Sequence, residues 1–155
     1  MRNTTRLILA MGMVITVGLL PLVAAVSNGS VTPNSITFTS TDPDVSVTGS
    51  PGTTTVSFKT TANPSHFTIT AKAGSSTFTG CNTPAATHVT LSCSSASGVT
   101  CGAPGSLTTT GIPIATGSGN QSGASFKVTY AFQDGWNNKV GTGCSLSVSF
   151  VYTEP

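Results

Sequence analysis

The chain has 155 residues and a formal charge of +2, and only 6% of its residues are charged. Arg2 and Arg6 are the only arginines. Beyond them Lys59, Lys72, Lys127 and Lys139 stand against Asp42, Asp44, Asp134 and Glu154, so the body of the chain is neutral. With no guanidinium forks and no basic stripe to neutralise phosphates, nucleic acid is excluded as a partner.

The N-terminus has the order of a secretory signal: the two arginines, the apolar run "LILAMGMVITVGLLPLV", a break at Pro21, then the small residues of "LVAAVSNGS". Residues 1–25 are therefore expected to be a signal peptide cut after Ala25, leaving no stable membrane span. About 130 residues remain, enough for one domain with its own core. The polar stretch 26–34 is expected to be loose ahead of the first strand.

From there the chain reads as strands with period-two alternation, each burying one face. "SITFTS" puts Ile36 and Phe38 in phase, "DVSVTG" Val45 and Val47, and "TTVSFKT" Val56 and Phe58. "HFTITAKA" sets Phe67, Ile69 and Ala71 against Thr68, Thr70 and Lys72. "STFTG" is short, and "THVTLSC" alternates Val89, Leu91 and Cys93. "ASFKVTYAF" has Ala124, Phe126, Val128, Tyr130 and Phe132 on one face, and "CSLSVSFVY" has Cys144, Leu146, Val148, Phe150 and Tyr152. Turn chemistry such as "TDPD", "GSPG", "ANPS" and "CGAPGS" separates these runs, and residues 111–123 read as a crossover loop. Strands of this length and spacing predict an all-β antiparallel sandwich, with a barrel as the competing closure.

Four cysteines in an exported chain predict two disulfides. Cys93 and Cys101 face each other across a short Ser/Gly loop, which favours Cys93–Cys101 and leaves Cys81–Cys144. A core-crossing Cys93–Cys144 bridge is the alternative. His66 and His88 stand at no zinc-ligand spacing from the cysteines, so neither a metal nor a cofactor is expected. The few carboxylates form no recognisable glycosidase pair, and no G-x-S-x-G elbow is present, so no catalytic residue is assigned. Trp136, the only tryptophan, sits in the loop "QDGWNNKVGTGC". It is expected to fold over the open end of the sandwich as a lid. In the competing role it is an aromatic platform for a polysaccharide, with Asp134, Asn137 and Asn138 as polar partners.

The segment "VTPNSITFTSTDPDVSVTGSPGTTTVSFKTTANPSHFTITAKAG" and the following "TPAATHVTLSCSS" resemble the immunoglobulin-like domains of exported bacterial proteins, and the final strand more weakly resembles secreted pilin-type subunits. The resemblance implies an immunoglobulin-like β-sandwich with scaffold, adhesive or carbohydrate-binding roles. The expectation is thus a non-catalytic module, secreted or held in the periplasm or at the cell surface. It would associate with itself or with a protein partner through edge strands, with polysaccharide binding as the alternative.

Overall fold

The computed structural model describes residues 9–14, 26–40, 46–61, 63–80, 84–133 and 145–154. Among them are twelve strands and one short 3-10 turn at Ala86–His88. The strands are β1 Leu9–Val14, β2 Val26–Thr32, β3 Ser35–Ser40, β4 Val47–Thr48, β5 Thr54–Thr60 and β6 Phe67–Ala73, followed by β7 Val89–Ser97, β8 Thr100–Cys101, β9 Gly105–Ser106, β10 Ile112–Gly117, β11 Ala124–Phe132 and β12 Val148–Thr153. Two antiparallel sheets make up the body. The larger has the order β2-β5-β11-β7-β9, with β4 also on β11, and the smaller has the order β12-β6-β10-β8. A separate pair joins β1 to β3, with Met11 opposite Phe38 and Met13 opposite Ile36 in register.

The alternation seen in the sequence decides which faces meet. In β11, Ala124, Phe126, Val128, Tyr130 and Phe132 are all buried, while Ser125, Lys127, Thr129 and Ala131 are not. Val56 and Phe58 of β5 and Val89 and Leu91 of β7 join them from the same sheet. Phe67, Ile69 and Ala71 of β6 and Val148 and Phe150 of β12 face them from the other. Edge-to-face rings stitch the layers: Phe58 against Phe67 at 5.8 Å between centroids, and Phe126 against Phe150 at 6.2 Å. This is the geometry aromatic pairs prefer, so the layers gain specific contacts beyond apolar burial. Ile36 and Phe38 of β3 are also inside, and Phe38 packs on Phe132 at 5.8 Å.

The chain changes sheet repeatedly between β7 and β11. At the first crossing Ser125 pairs with Ser97 but Lys127 pairs with Ser94, so β7 carries an extra residue there. Ser95 takes a left-handed φ of 49° at this bulge. Such a bulge bends and twists its strand, and here it turns the chain out of the larger sheet. Two residues after β7 the chain enters β8, which pairs with β10 in the smaller sheet. Cys93 and Cys101 are disulfide-bonded across this crossing, eight residues apart. The bridge therefore joins the two sheets, a larger role than closing a loop. Loop-closure entropy for so short a span contributes about 2.5 kcal/mol.

Cys93, in phase with the fully buried Val89 and Leu91, packs against the core as expected but is only partly buried, near the β7 bulge. Two features differ from the sequence expectation. Residues 26–32 are paired with β5 as β2, with Val31 opposite Val56, where a loose segment was expected. The second is the stretch 111–123. Its first half is β10, an inner strand between β6 and β8, and only residues 118–123 make the crossover to β11. The register of β10 on β6 slips between Pro113 and Ala115, so Ile114 and Ala115 are both fully buried although adjacent. A bulge that buries two neighbours removes the alternation by which a strand is read.

If β10 is an inner strand, Ile114→Ala will lower unfolding stability by about 2–5 kcal/mol in denaturant titrations, as for a buried isoleucine. A change within about 0.5 kcal/mol, as at a loop position, would refute that placement.

Candidate functional site

The continuation of β6 and the lead into β12 form a cleft. Antiparallel pairing runs through Val148 opposite Ala73, and the Gly74 N–H then donates to Ser147 O at 2.9 Å. Pairing resumes only at Thr79 and Ser145, whose backbones exchange two hydrogen bonds of 2.9 Å. Residues 75–78 thus stand opposite Leu146 alone and bow away from it. The bow is held from outside, by Phe78 N–H to Pro84 O at 2.9 Å and Ala86 N–H to Ser76 O at 2.8 Å. Phe78 turns inward and is buried against Phe132, with centroids 5.9 Å apart. The opening left behind has a volume of about 300 Å³ and is lined by Gly74, Ser75, Thr77, Thr79, Ser145, Leu146 and Ser147.

Every side chain on that lining except Leu146 ends in a hydroxyl or is glycine. Thr79 Oγ1 and Ser145 Oγ lie 3.0 Å apart and share a hydrogen bond, and Ser75 Oγ accepts from Thr77 N–H at 3.3 Å. Among the described residues the hydroxyls of Thr77 and Ser147 have no bonding partner. A Cβ at Gly74 would meet Ser147 Oγ, so that hydroxyl would have to rotate away from its present place. Sequence reasoning passed over this cleft, because serine and threonine are too common along the chain to mark any of them out.

The residues singled out from the sequence are distributed otherwise. Trp136, Asp134, Asn137 and Asn138 lie outside the described residues, as do Cys81, Cys144, Asp42 and Asp44. Gln133, the last described residue before Trp136, donates its N–H to His88 O at 2.8 Å, and Ser145, the first described residue after it, lines the cleft. Tyr130 and Phe132 are spent in the core. His66 is exposed, its Nδ1 3.3 Å from Ser65 Oγ, and His88 packs its ring 6.2 Å from that of Phe132. Among the described residues no three His, Cys, Asp or Glu side chains gather as a metal site would require, and no helix is long and apolar enough to cross a membrane. Near the C-terminus Tyr152 Oη donates to Glu154 Oε1 at 2.7 Å, and its ring stacks on Phe67 at 5.1 Å. Desolvation first, and the Glu154 carboxylate second, hold this phenol protonated above its ordinary range.

Inside the core, Thr54 Oγ1 and Tyr130 Oη are buried, and among the described residues neither reaches hydrogen-bonding geometry with a partner. Thr54 pairs with Val128, one position along the same face from Tyr130, so the two hydroxyls are neighbours. Burial pushes the Tyr130 pKa well up, and the Thr54 hydroxyl offsets only part of that. The arrangement can do no proton chemistry from inside a packed core.

No protein-family model matches this chain, and comparison with curated proteins and with solved structures gives no match.

Because the Tyr130 hydroxyl lacks a good partner, Tyr130→Phe will change stability by less than about 1 kcal/mol, against the roughly 3–5 kcal/mol of truncating such a ring. The folded phenol titrates above the unfolded one, so its contribution is intact below pH about 10 and is lost as pH rises beyond it. Alkaline unfolding followed by tyrosinate absorbance should therefore begin at higher pH in Tyr130→Phe. A cost well above 1 kcal/mol would mean that Thr54 and Tyr130 share a full hydrogen bond.

Proposed function

We propose that this chain is an exported, non-catalytic module of immunoglobulin-like sandwich type, acting as a structural, adhesive or assembly component of a cell surface or extracellular matrix. The observation that carries the reading is the open sheet edges. Among the described residues β12 pairs with β6 alone and β2 with β5 alone. Exposed edges offer unpaired N–H and C=O groups to another chain unless lysine, proline or a covering element blunts them. β12, "VSFVYT", contains no charged residue, no proline and no glycine. Cleavage after Ala25 fits the same picture. It would remove β1, whose pairing occupies β3 from Ser35 to Ser40, and expose that strand as well. It would also cut immediately before Val26, the first residue of β2.

Export is further supported by the cysteines. The Thr79–Ser145 bridge brings the chain together two residues before Cys81 and one residue after Cys144. That proximity favours Cys81–Cys144 as a second disulfide beside Cys93–Cys101, and two bridges suit an oxidising compartment. Polysaccharide binding through Trp136, with Asp134, Asn137 and Asn138, is the second reading. What favours it is that Ser145, the first described residue after Trp136 in the chain, lines a hydroxyl-rich cleft.

Peptide mapping without reduction should recover Cys81 and Cys144 in one linked pair, and free thiols at either would remove this support for export. Light scattering on the native secreted protein should show oligomers or filaments. Lysines placed on the open edge, as Ser149→Lys with Val151→Lys, should return it to monomers with little change in Tm. A native protein that stays monomeric at every concentration would sink the assembly reading.

A further inference from the structure

The geometry points to a binding site for a neutral saccharide unit in the cleft between residues 74–79 and 145–147. This inference requires neither self-association nor the Trp136 platform, and it assigns different residues.

The cleft's chemistry selects the ligand class. Five of its seven lining residues, Ser75, Thr77, Thr79, Ser145 and Ser147, carry hydroxyls, and none carries a charge. A hydroxyl is one donor and two acceptors, so such a ring can answer a ligand that alternates donors and acceptors but offers nothing to neutralise an ion. Phosphate, carboxylate and cationic ligands would give up part of their water shells here with no opposite charge to offset it. At the bottom lies Leu146, only 2% exposed, so a ligand would meet the hydroxyl-bearing walls and not an apolar platform. The volume of about 300 Å³ is at the lower end of small-molecule sites.

The cleft also exists before any ligand arrives. Its floor is fixed because Leu146 lies in the core and Val148 pairs with Ala73. Its bowed wall is fixed by Phe78, packed inward, and by the backbone bonds to Pro84 and from Ala86. Its two ends are closed by the Gly74–Ser147 and Thr79–Ser145 hydrogen bonds. Preformed walls lower the ordering cost of binding a small polar ligand. Gly74 keeps Ser147 Oγ on the lining, since a methyl at that position would displace it.

The test is a titration of the native protein with glucose, galactose, mannose and N-acetylglucosamine, followed by amide shifts. At least one sugar should move the amides of Ser75, Thr77, Thr79 and Ser145 through Ser147 in a saturable way. Thr77→Val combined with Ser147→Ala should weaken that binding by about tenfold or more, through loss of two hydrogen-bonding groups. Gly74→Ala, which alters the lining from the other side, should weaken it too, and amide spectra will report whether either variant stays folded. Trp136→Ala should leave the affinity within about twofold. Absence of saturable shifts with all four sugars would overturn the inference. So would binding that Trp136→Ala abolishes and the cleft variants spare, or shifts that appear only with a peptide.

Discussion

The inward face of β11 is the constraint on which the structure depends. Five alternate residues from Ala124 to Phe132 are removed from water, and β4, β5 and β7 all pair with this strand. At about 25 cal/mol per Å² of buried apolar surface, such a row is worth several kcal/mol, and it fixes register as well. A slip of one residue would bring Ser125, Lys127 and Thr129 into the core. The fully buried Tyr130 shows how firmly the face is set: its hydroxyl is carried inside without a proper partner. The ring's burial outweighs the cost of the unmet group.

Around that strand the layers are held in two different ways. Between β5 and β6, and between β11 and β12, aromatic rings meet across the interior. At the β7–β8 crossing there is less apolar mass, since the last four residues of β7, three serines and Ala96, are exposed and only Cys93 and Val99 reach the core. The Cys93–Cys101 bond takes over there, beside the left-handed Ser95 that turns the strand. A covalent tie is placed where the core thins out, as in small domains whose limited burial is supplemented by disulfides.

This division explains what could be read from the residues. Strands β5, β6, β7, β11 and β12 alternate, and their buried sets are legible in the order of Val, Phe, Ile and Leu. β10 is not, because its bulge buries Ile114 beside Ala115 and its Pro113 looks like a loop residue. β8 and β9 are two residues each, too short to show any period. β2 carries Asn28 and Gly29 amid polar neighbours, and is a strand because β5 offers it a paired edge. The cleft was illegible for a different reason. It arises from a mismatch of four residues against one between two stretches almost seventy residues apart in sequence. No local pattern records a mismatch of that kind.

The sparing use of charge gives the surface one further property. With a neutral body and hydroxyls over most outward positions, neither long-range attraction nor repulsion directs encounters, and short-range hydrogen bonding is left to decide them. The two places proposed to use it lie on opposite sides of the same strand. The cleft sits on the β6 side of the β12 entry, where Gly74 to Thr79 face Ser145 to Ser147. The edge of β12 that is unpaired among the described residues is on the other side. A strand added along that edge would extend the smaller sheet without crossing the cleft, so association through β12 and occupation of the cleft are sterically independent. Coupling between them would need β12 itself to move, and Val148 and Phe150, buried against the facing layer, hold it in place.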